Sequence, residues 1–292
     1  MRPALRRSAV ALGVAALGAR SLALARVSTY AQAAPAPDAP ARLAGAVALA
    51  PAPSIVLYQY ETCPFCNKVR AYLDWRRIPY TVVEVDPLFK SALAFSAYKK
   101  VPLAVIDGAA VGDSSAIIDA IERKLHPQAA QGGGEEAQAA PWRAWSDATL
   151  VKHLTVNIYR SWAESLQTFD YLTQRNFPPW SAAAAKYIGA AAMTLVAGKR
   201  RKELGIGAEL GLERQALAGV LGELEAGLAG RPFLGGQRAG LGDVSIYGVM
   251  RAIKGLPTHT EAILSHPGAA AWCARMEAEV GPSMLMHRVG EK

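Results

Sequence analysis

The stretch 57-LYQYETCPFCNKVRAYL-73 holds two of the chain's three cysteines, Cys63 and Cys66, separated by Pro64 and Phe65. The apolar, β-branched run from Ser54 to Tyr60 that leads into it predicts a strand. After Cys63 the period changes. Cys66, Val69 and Leu73 recur at three and four residues, which predicts a helix with Lys68 and Arg70 on a face that water can reach. A Cys-x-x-Cys step at a strand-to-helix junction sets its first sulfur beside free helix amides, which favour thiolate and lower a pKa ordinarily near about 8.5. Cys66, one turn in, is placed to resolve a mixed disulfide formed at Cys63. Pro64 occupies a first-turn position where no amide hydrogen is needed. Three uses of the pair are open: a reactive dithiol, a metal clip shared between subunits, or two buried small hydrophobes. Spacing, proline and position favour the first. Glu61 opposes thiolate formation, whereas Lys68 and Arg70 favour it if they turn toward the sulfurs.

Working outward, Tyr80 to Val85 predicts a second strand, and Asp86-Pro87 opens a mixed segment through Tyr98 with room for a helix. Val101 to Ile106 gives a third strand with Pro102 near its start. Asp107-Gly108 marks a tight turn, and Ala109 to Gly112 leaves space for a very short fourth strand. Asp113, Ser114 or Ser115 caps a helix carrying Ile117, Ile121 and Leu125 on one face, which His126-Pro127 ends. This is an α/β domain over residues 54–127. Residues 128–141 include three consecutive glycines and read as a linker. Residues 142–285 predict an all-helical domain, with helices over 142–160, 181–198, 209–229, 240–254 and 269–279. Trp142, Trp145, Trp162 and Trp180 are expected as packing anchors, and Cys273 as a packed thiol. The five histidines are scattered without a nucleophile-base or metal-binding spacing.

At 292 residues and 51% hydrophobic, the chain is too apolar for disorder and large enough for one or two cores. Three cysteines close no disulfide framework and cannot supply a four-thiolate zinc site from one chain. Residues 1–40 carry Arg2, Arg6, Arg7, Arg20 and Arg26 against Asp38 alone, a basic Ala/Leu-rich leader. That leader accounts for half of the formal +8, so net charge makes no case for a nucleic-acid partner. It reads first as an organellar targeting segment, mitochondrion or chloroplast, with a secretory signal or a membrane-associated segment as alternatives. Its apolar run stops at Arg20, short of the roughly 20 residues that span a bilayer.

Thr62-Cys63-Pro64-Phe65-Cys66, followed by Val101-Pro102 and by Asp113-Ser114-Ser115, resembles the glutaredoxin pattern on a thioredoxin fold. A helical domain behind it is similar to the glutathione transferase architecture. More narrowly, LYQYETCPFCNKVRAYLD, SAYKKVPLAVIDG, DSSAIIDAI, AKYIGAAAM and RPFLGGQRAGLGDVSIYGVMRAI resemble, in that order, the membrane-associated prostaglandin E synthase type 2 family. The resemblance implies an α/β thioredoxin-like domain followed by an all-α glutathione transferase C-terminal-like domain, and isomerisation of a prostaglandin endoperoxide (PGH2) to PGE2. It implies Cys63, Cys66 and Tyr60 as catalytic residues and Phe65 as a substrate contact. Val101, a cis Pro102, Asp113 and Ser114 are implied for glutathione, with haem as a further ligand and a homodimer as the assembly. Glutathione-dependent thiol-disulfide exchange or transfer is the alternative chemistry. A non-catalytic protein binding haem, glutathione or an iron-sulfur cluster, in contact with a membrane, is the third reading. Two positions depart from the family pattern: Glu61 stands where relatives can have lysine, and Gly240 lacks the hydroxyl of the capping box that Asp243 would complete.

Overall fold

Strand β1, Ile55–Gln59, alternates buried and half-buried residues and forms the centre of a sheet. The computed structural model describes residues 53–127, 135–174 and 178–289, all within one compact unit, Leu49–Lys292. The leader expected over 1–40 lies outside the described residues, as does most of the spacer after it. Helix α1, Pro64–Trp75, leads into β2, Tyr80–Glu84; β3, Leu103–Ile106, and β4, Ala109–Gly112, precede α2, Ser114–Leu125. β1 runs parallel to β2 and antiparallel to β3, and β3 pairs antiparallel with β4. Asp113 caps α2 by accepting from the amides of Ser115 and Ala116, at 2.9 and 3.1 Å.

No regular helix forms between β2 and β3. Asp86 accepts from the amides of Leu88 and Phe89, Lys90 turns left-handed at φ 50°, and a single 3₁₀ turn, Ser91–Leu93, follows. The Asx turn after Asp86 satisfies the first amides locally, so they do not initiate a helix.

The helical half consists of α3 (Glu135–Trp145), α4 (Val151–Ile158), α5 (Trp162–Thr168), α6 (Pro179–Glu203), α7 (Leu212–Leu228), α8 (Leu241–Arg251) and α9 (Pro267–Val280). α3 begins inside the expected linker and carries Pro141 in its interior, so Glu135–Pro141 is helix; 128–134 lies outside the described residues. The helix expected over 142–160 is interrupted by a π turn, Ser146–Leu150, which widens the backbone around Asp147. α5, capped by the Ser161 hydroxyl, had no clear periodic signal. Trp142 and Trp145 pack edge to face at 5.4 Å, whereas Trp162 and Trp180 stand 50% and 64% exposed and anchor no core.

Behind the helical domain expected over residues 142–285, the described chain ends in a strand for which the sequence offered no signal. Strand β5, Leu285–Val289, pairs in parallel with β2 and gives the sheet its order β4-β3-β1-β2-β5. Its residues are mostly exposed and show no alternation. It is a strand because the β2 edge offers unpaired backbone groups and because α1 holds the segment before it. Asp74 accepts from the Met284 amide at 2.8 Å, and Arg77 donates to the Val280 carbonyl at 2.7 Å.

α8 is buried on every side, as a helix at the centre of a core must be. Asp243 is fully buried and accepts from the amides of Leu234, Gly235 and Gly240 and from the Trp272 indole. The acid half of the capping box thus works without its hydroxyl partner. Where α8 crosses α1, Gly248 allows backbone contact: a Cβ there would lie 2.5 Å from Lys68 Cα and 2.8 Å from the Asn67 carbonyl oxygen. A single hydrophobic cluster therefore runs from Leu57 and Val69 through Ile246 and Met250 to Trp272 and Met276.

Gly248→Val is expected to lower stability by about 3 kcal/mol, because backbone atoms cannot yield as a side chain can. In α7, Gly219 has open space around its would-be Cβ, so Gly219→Ala should raise stability by roughly 1 kcal/mol. Urea denaturation of the two variants measures both signs.

Candidate active site

Cys63 is the N-cap residue of α1, and Pro64 takes the first helical position, as the sequence predicts. The loop that presents Cys63 is held from three directions. Asn67 Nδ2 donates to the carbonyls of Glu61 and Cys63, and the Glu61 amide donates to Glu84 Oε1 at 2.7 Å. Glu84 Oε2 also receives Gln59 Nε2, so a carboxylate on β2 ties β1 to the loop. The third hold comes from β5: Arg288 donates to both oxygens of Glu61, at 3.2 and 3.4 Å.

Cys63 is half-buried and Cys66 fully buried. The Cys66 thiol donates to Cys63 and pulls its pKa below the ordinary thiol value; burial opposes this, and the amides of Cys66 and Phe65 reinforce it. Burial pushes the Cys66 thiol well up, with the charge on Cys63 adding to the effect. Cys63 is therefore the thiol of the pair that more readily ionises, with Cys66 as its hydrogen-bond donor.

The charges near the pair differ from expectation. The sequence predicts that Glu61 opposes the thiolate, but its carboxylate is paired with Arg288, and Glu84 is the acid that raises both thiols. Lys68 does not face water. Its ammonium is buried, donating to Ser115 Oγ and to both oxygens of Asp147, and burial lowers its pKa. Arg70 turns to Tyr80, Glu61 and Asp74. Neither cation stands over the sulfurs, so the helix terminus and Cys66 carry the thiolate's stabilisation.

Tyr60 follows β1, and burial first, then the charges on Cys63 and Cys66, push its phenol up to about 12. Three tyrosines missed in the sequence also feel Cys63: Tyr98 before β3, Tyr159 after α4 and Tyr171 after α5, each raised chiefly by burial. Four protonated phenols thus stand around the thiols at neutral pH. Phe65 walls a cavity of about 130 Å³ completed by Leu154, Ile158, Tyr159, Met193 and Arg200 from the helical half. No local pattern marks Tyr159, Tyr171 or Arg200, because only the packing of α4 to α6 brings them to the motif.

Val101 precedes a cis Pro102 and lies outside the paired register of β3. Ser114 is buried as the first residue of α2. Both capping bonds to Asp113 fall on Oδ1, and Oδ2 takes neither. These four residues could hold a peptide ligand by its backbone and its amino end. Among the described residues no group of three or more His, Cys, Asp or Glu could hold a metal ion, and no helix is long and apolar enough to cross a membrane. Cys273 lies 3.7 Å from Met250 Sδ, and burial pushes it up to about 12, consistent with a packed thiol.

A mixed sheet with its helices, followed by a helical bundle, is the glutathione S-transferase fold class. Residues 57–129 match the glutathione S-transferase N-terminal domain. A GST-like protein from Pseudomonas syringae shares the fold with a TM-score of 0.52 at 18% identity, covering 80% of this chain and 70% of that one. Glutathione S-transferase I from maize, in complex with an atrazine glutathione conjugate, gives 0.50 at 17%, covering 77% and 92%. Sequence relatives are closer. Prostaglandin E synthase 2 of Mus musculus is 34% identical over 281 residues, 80% of this chain and 72% of the mouse protein. The Danio rerio protein of the same name is 30% identical over 268 residues, 76% and 70% of the two chains. The chain belongs to the prostaglandin E synthase 2 family.

Replacing Cys66 with alanine removes the donor that stabilises the Cys63 thiolate, so the Cys63 pKa should rise. Alkylation of Cys63 by iodoacetamide, followed by mass spectrometry across pH, should show its midpoint moving to higher pH in Cys66→Ala. A midpoint that stays put or falls would contradict the assigned hydrogen bond.

Proposed function

We propose that the chain isomerises a prostaglandin endoperoxide (PGH2) to PGE2, with Cys63 as nucleophile and Tyr60 as proton carrier. The observation that carries this reading is a thiol of lowered pKa beside protonated phenols and an apolar cavity, in a chain of this family. The Cys63 thiolate attacks one peroxide oxygen: a sulfur-oxygen bond forms and the oxygen-oxygen bond breaks. The other oxygen leaves as an alkoxide and takes the Tyr60 proton, giving the hydroxyl. Tyrosinate then removes the hydrogen on the carbon bearing the sulfur-bound oxygen. That electron pair becomes the ketone's π bond, the sulfur-oxygen bond breaks, and thiolate and phenol are restored. No electrons are gained or lost overall, as an isomerisation requires.

Glutathione is the co-ligand this reading assigns to Val101, Pro102, Asp113 and Ser114, whose backbone groups and free carboxylate oxygen suit a peptide with an α-amino group. It would supply a further thiol beside Cys63 and Cys66. One observation favours a second reading, thiol-disulfide exchange: Cys66 sits within hydrogen-bond reach of Cys63, where a resolving thiol must be.

With purified protein and the endoperoxide, Cys63→Ser should reduce PGE2 formation by about 100-fold or more, the scale of losing an activated nucleophile. Cys66→Ser, which keeps a donor, should retain most of it. If exchange is the reaction, a glutathionylated peptide is reduced by the wild type and the endoperoxide yields the same products as in buffer.

We also propose that residues 1–40 direct the chain to an organelle, on the strength of five arginines and one acid in that leader. Deleting them should leave a tagged protein in the cytosol by fractionation; unchanged localisation would sink the idea.

A further inference from the structure

The cavity walled by Phe65 is apolar except for one formal charge. Leu154, Ile158, Met193 and the ring of Tyr159 line it, and Arg200, near the end of α6, contributes a guanidinium. Arg200 is half-buried and donates through Nη1 to the Thr155 hydroxyl, yet forms no ion pair with any described carboxylate. Its neighbours along the helix are matched. Lys199 lies 3.9 Å from Glu203, and Arg201 is paired with the buried Glu213. Burial lowers the Arg200 pKa, with Glu203 and Tyr159 opposing it. A half-buried cation whose acid neighbour Glu203 is engaged by Lys199 gains from an anion that reaches it directly. A guanidinium at the wall of an apolar cavity is suited to a carboxylate, through paired N–H donors and a charge that does not titrate.

We propose that Arg200 anchors the carboxylate of an amphipathic carboxylic acid whose carbon chain enters the cavity beside Phe65 and Tyr159. The proposal rests on the reading of this site as one that takes an apolar substrate, and adds which end of that substrate is recognised and by what. The cavity volume accommodates part of a carbon chain, leaving the remainder of the acid along the helical surface. Because Pro64 and Phe65 line the same cavity, a chain held at Arg200 lies against the residues that follow Cys63. Thr155 is the positioning residue, holding the guanidinium by its hydroxyl, which itself donates to the Val151 carbonyl at 2.7 Å.

Isothermal titration of the full chain with dodecanoate and with 1-dodecanol tests the anchor without any substitution. The wild type should bind the acid about tenfold more tightly than the alcohol, the scale of a charge-assisted hydrogen bond. Arg200→Gln should bind the two equally while keeping its affinity for the alcohol, and Arg200→Lys should keep part of the preference. Equal affinities in the wild type, or a preference that survives in Arg200→Gln, would overturn the proposal. An acid preference lost in Arg200→Gln, together with endoperoxide products unaffected by Cys63→Ser, removes the isomerase reading and leaves the anchor. Thiol-dependent turnover without an acid preference removes the anchor and leaves the reading.

Discussion

Everything in this fold that matters for chemistry depends on how closely α8 can approach α1. Gly248 lets two backbones touch where any side chain would hold them apart, and the approach seals one hydrophobic cluster across both halves of the chain. Around that contact the polar links are buried and directional. Lys68 reaches from α1 to Ser115 and Asp147, and Asp74 pairs with Arg251 at 2.7 Å while holding the segment before β5. Breaking one partner of such a buried pair is costly, so these links fix geometry even where they add little net stability. Helix α1 is thereby held at both ends, and its N-terminus, where Cys63 sits, inherits that rigidity.

The thiol's electrostatics follow from the same construction. With Lys68 committed to Asp147 and Arg70 turned away, neither cation of α1 supports the thiolate, which depends on helix amides and on Cys66. Glu61 would be unfavourable in this position were it not matched by Arg288 from the last strand. Burial, unfavourable for the thiolate, has the opposite use for the phenols: it keeps Tyr60, Tyr159 and Tyr171 protonated beside a charged sulfur. A thiol that favours ionisation and phenols that resist it are thus held side by side in one apolar setting.

Local patterns disclosed the motif's strand-to-helix junction, the capping Asp113 and the short β4, because each depends on neighbours in sequence. β5 was hidden, since a short, exposed segment such as 285-LMHRV-289 becomes a strand only when the β2 edge is offered to it. The burial of Lys68 was hidden too: its position on the helix suggested water, and its partners lie 47 and 79 residues away. Of the candidate site, the thiols could be read from the motif, and Tyr60 and Phe65 were implied by the family resemblance. Tyr159, Tyr171, Glu84 and Arg200 could not, for they belong to elements brought to it only by tertiary packing.

The proposed isomerisation requires a Cys63 thiolate and a protonated Tyr60 to act together on one substrate. Most direct is the pH profile of kcat/KM for endoperoxide conversion. The rate should rise on a single ionisation below the ordinary thiol value of about 8.5 and then hold a plateau across the alkaline range, because the Tyr60 phenol keeps its proton. A rate indifferent to pH through that ionisation, or one rising only at or above the ordinary thiol value, would contradict it.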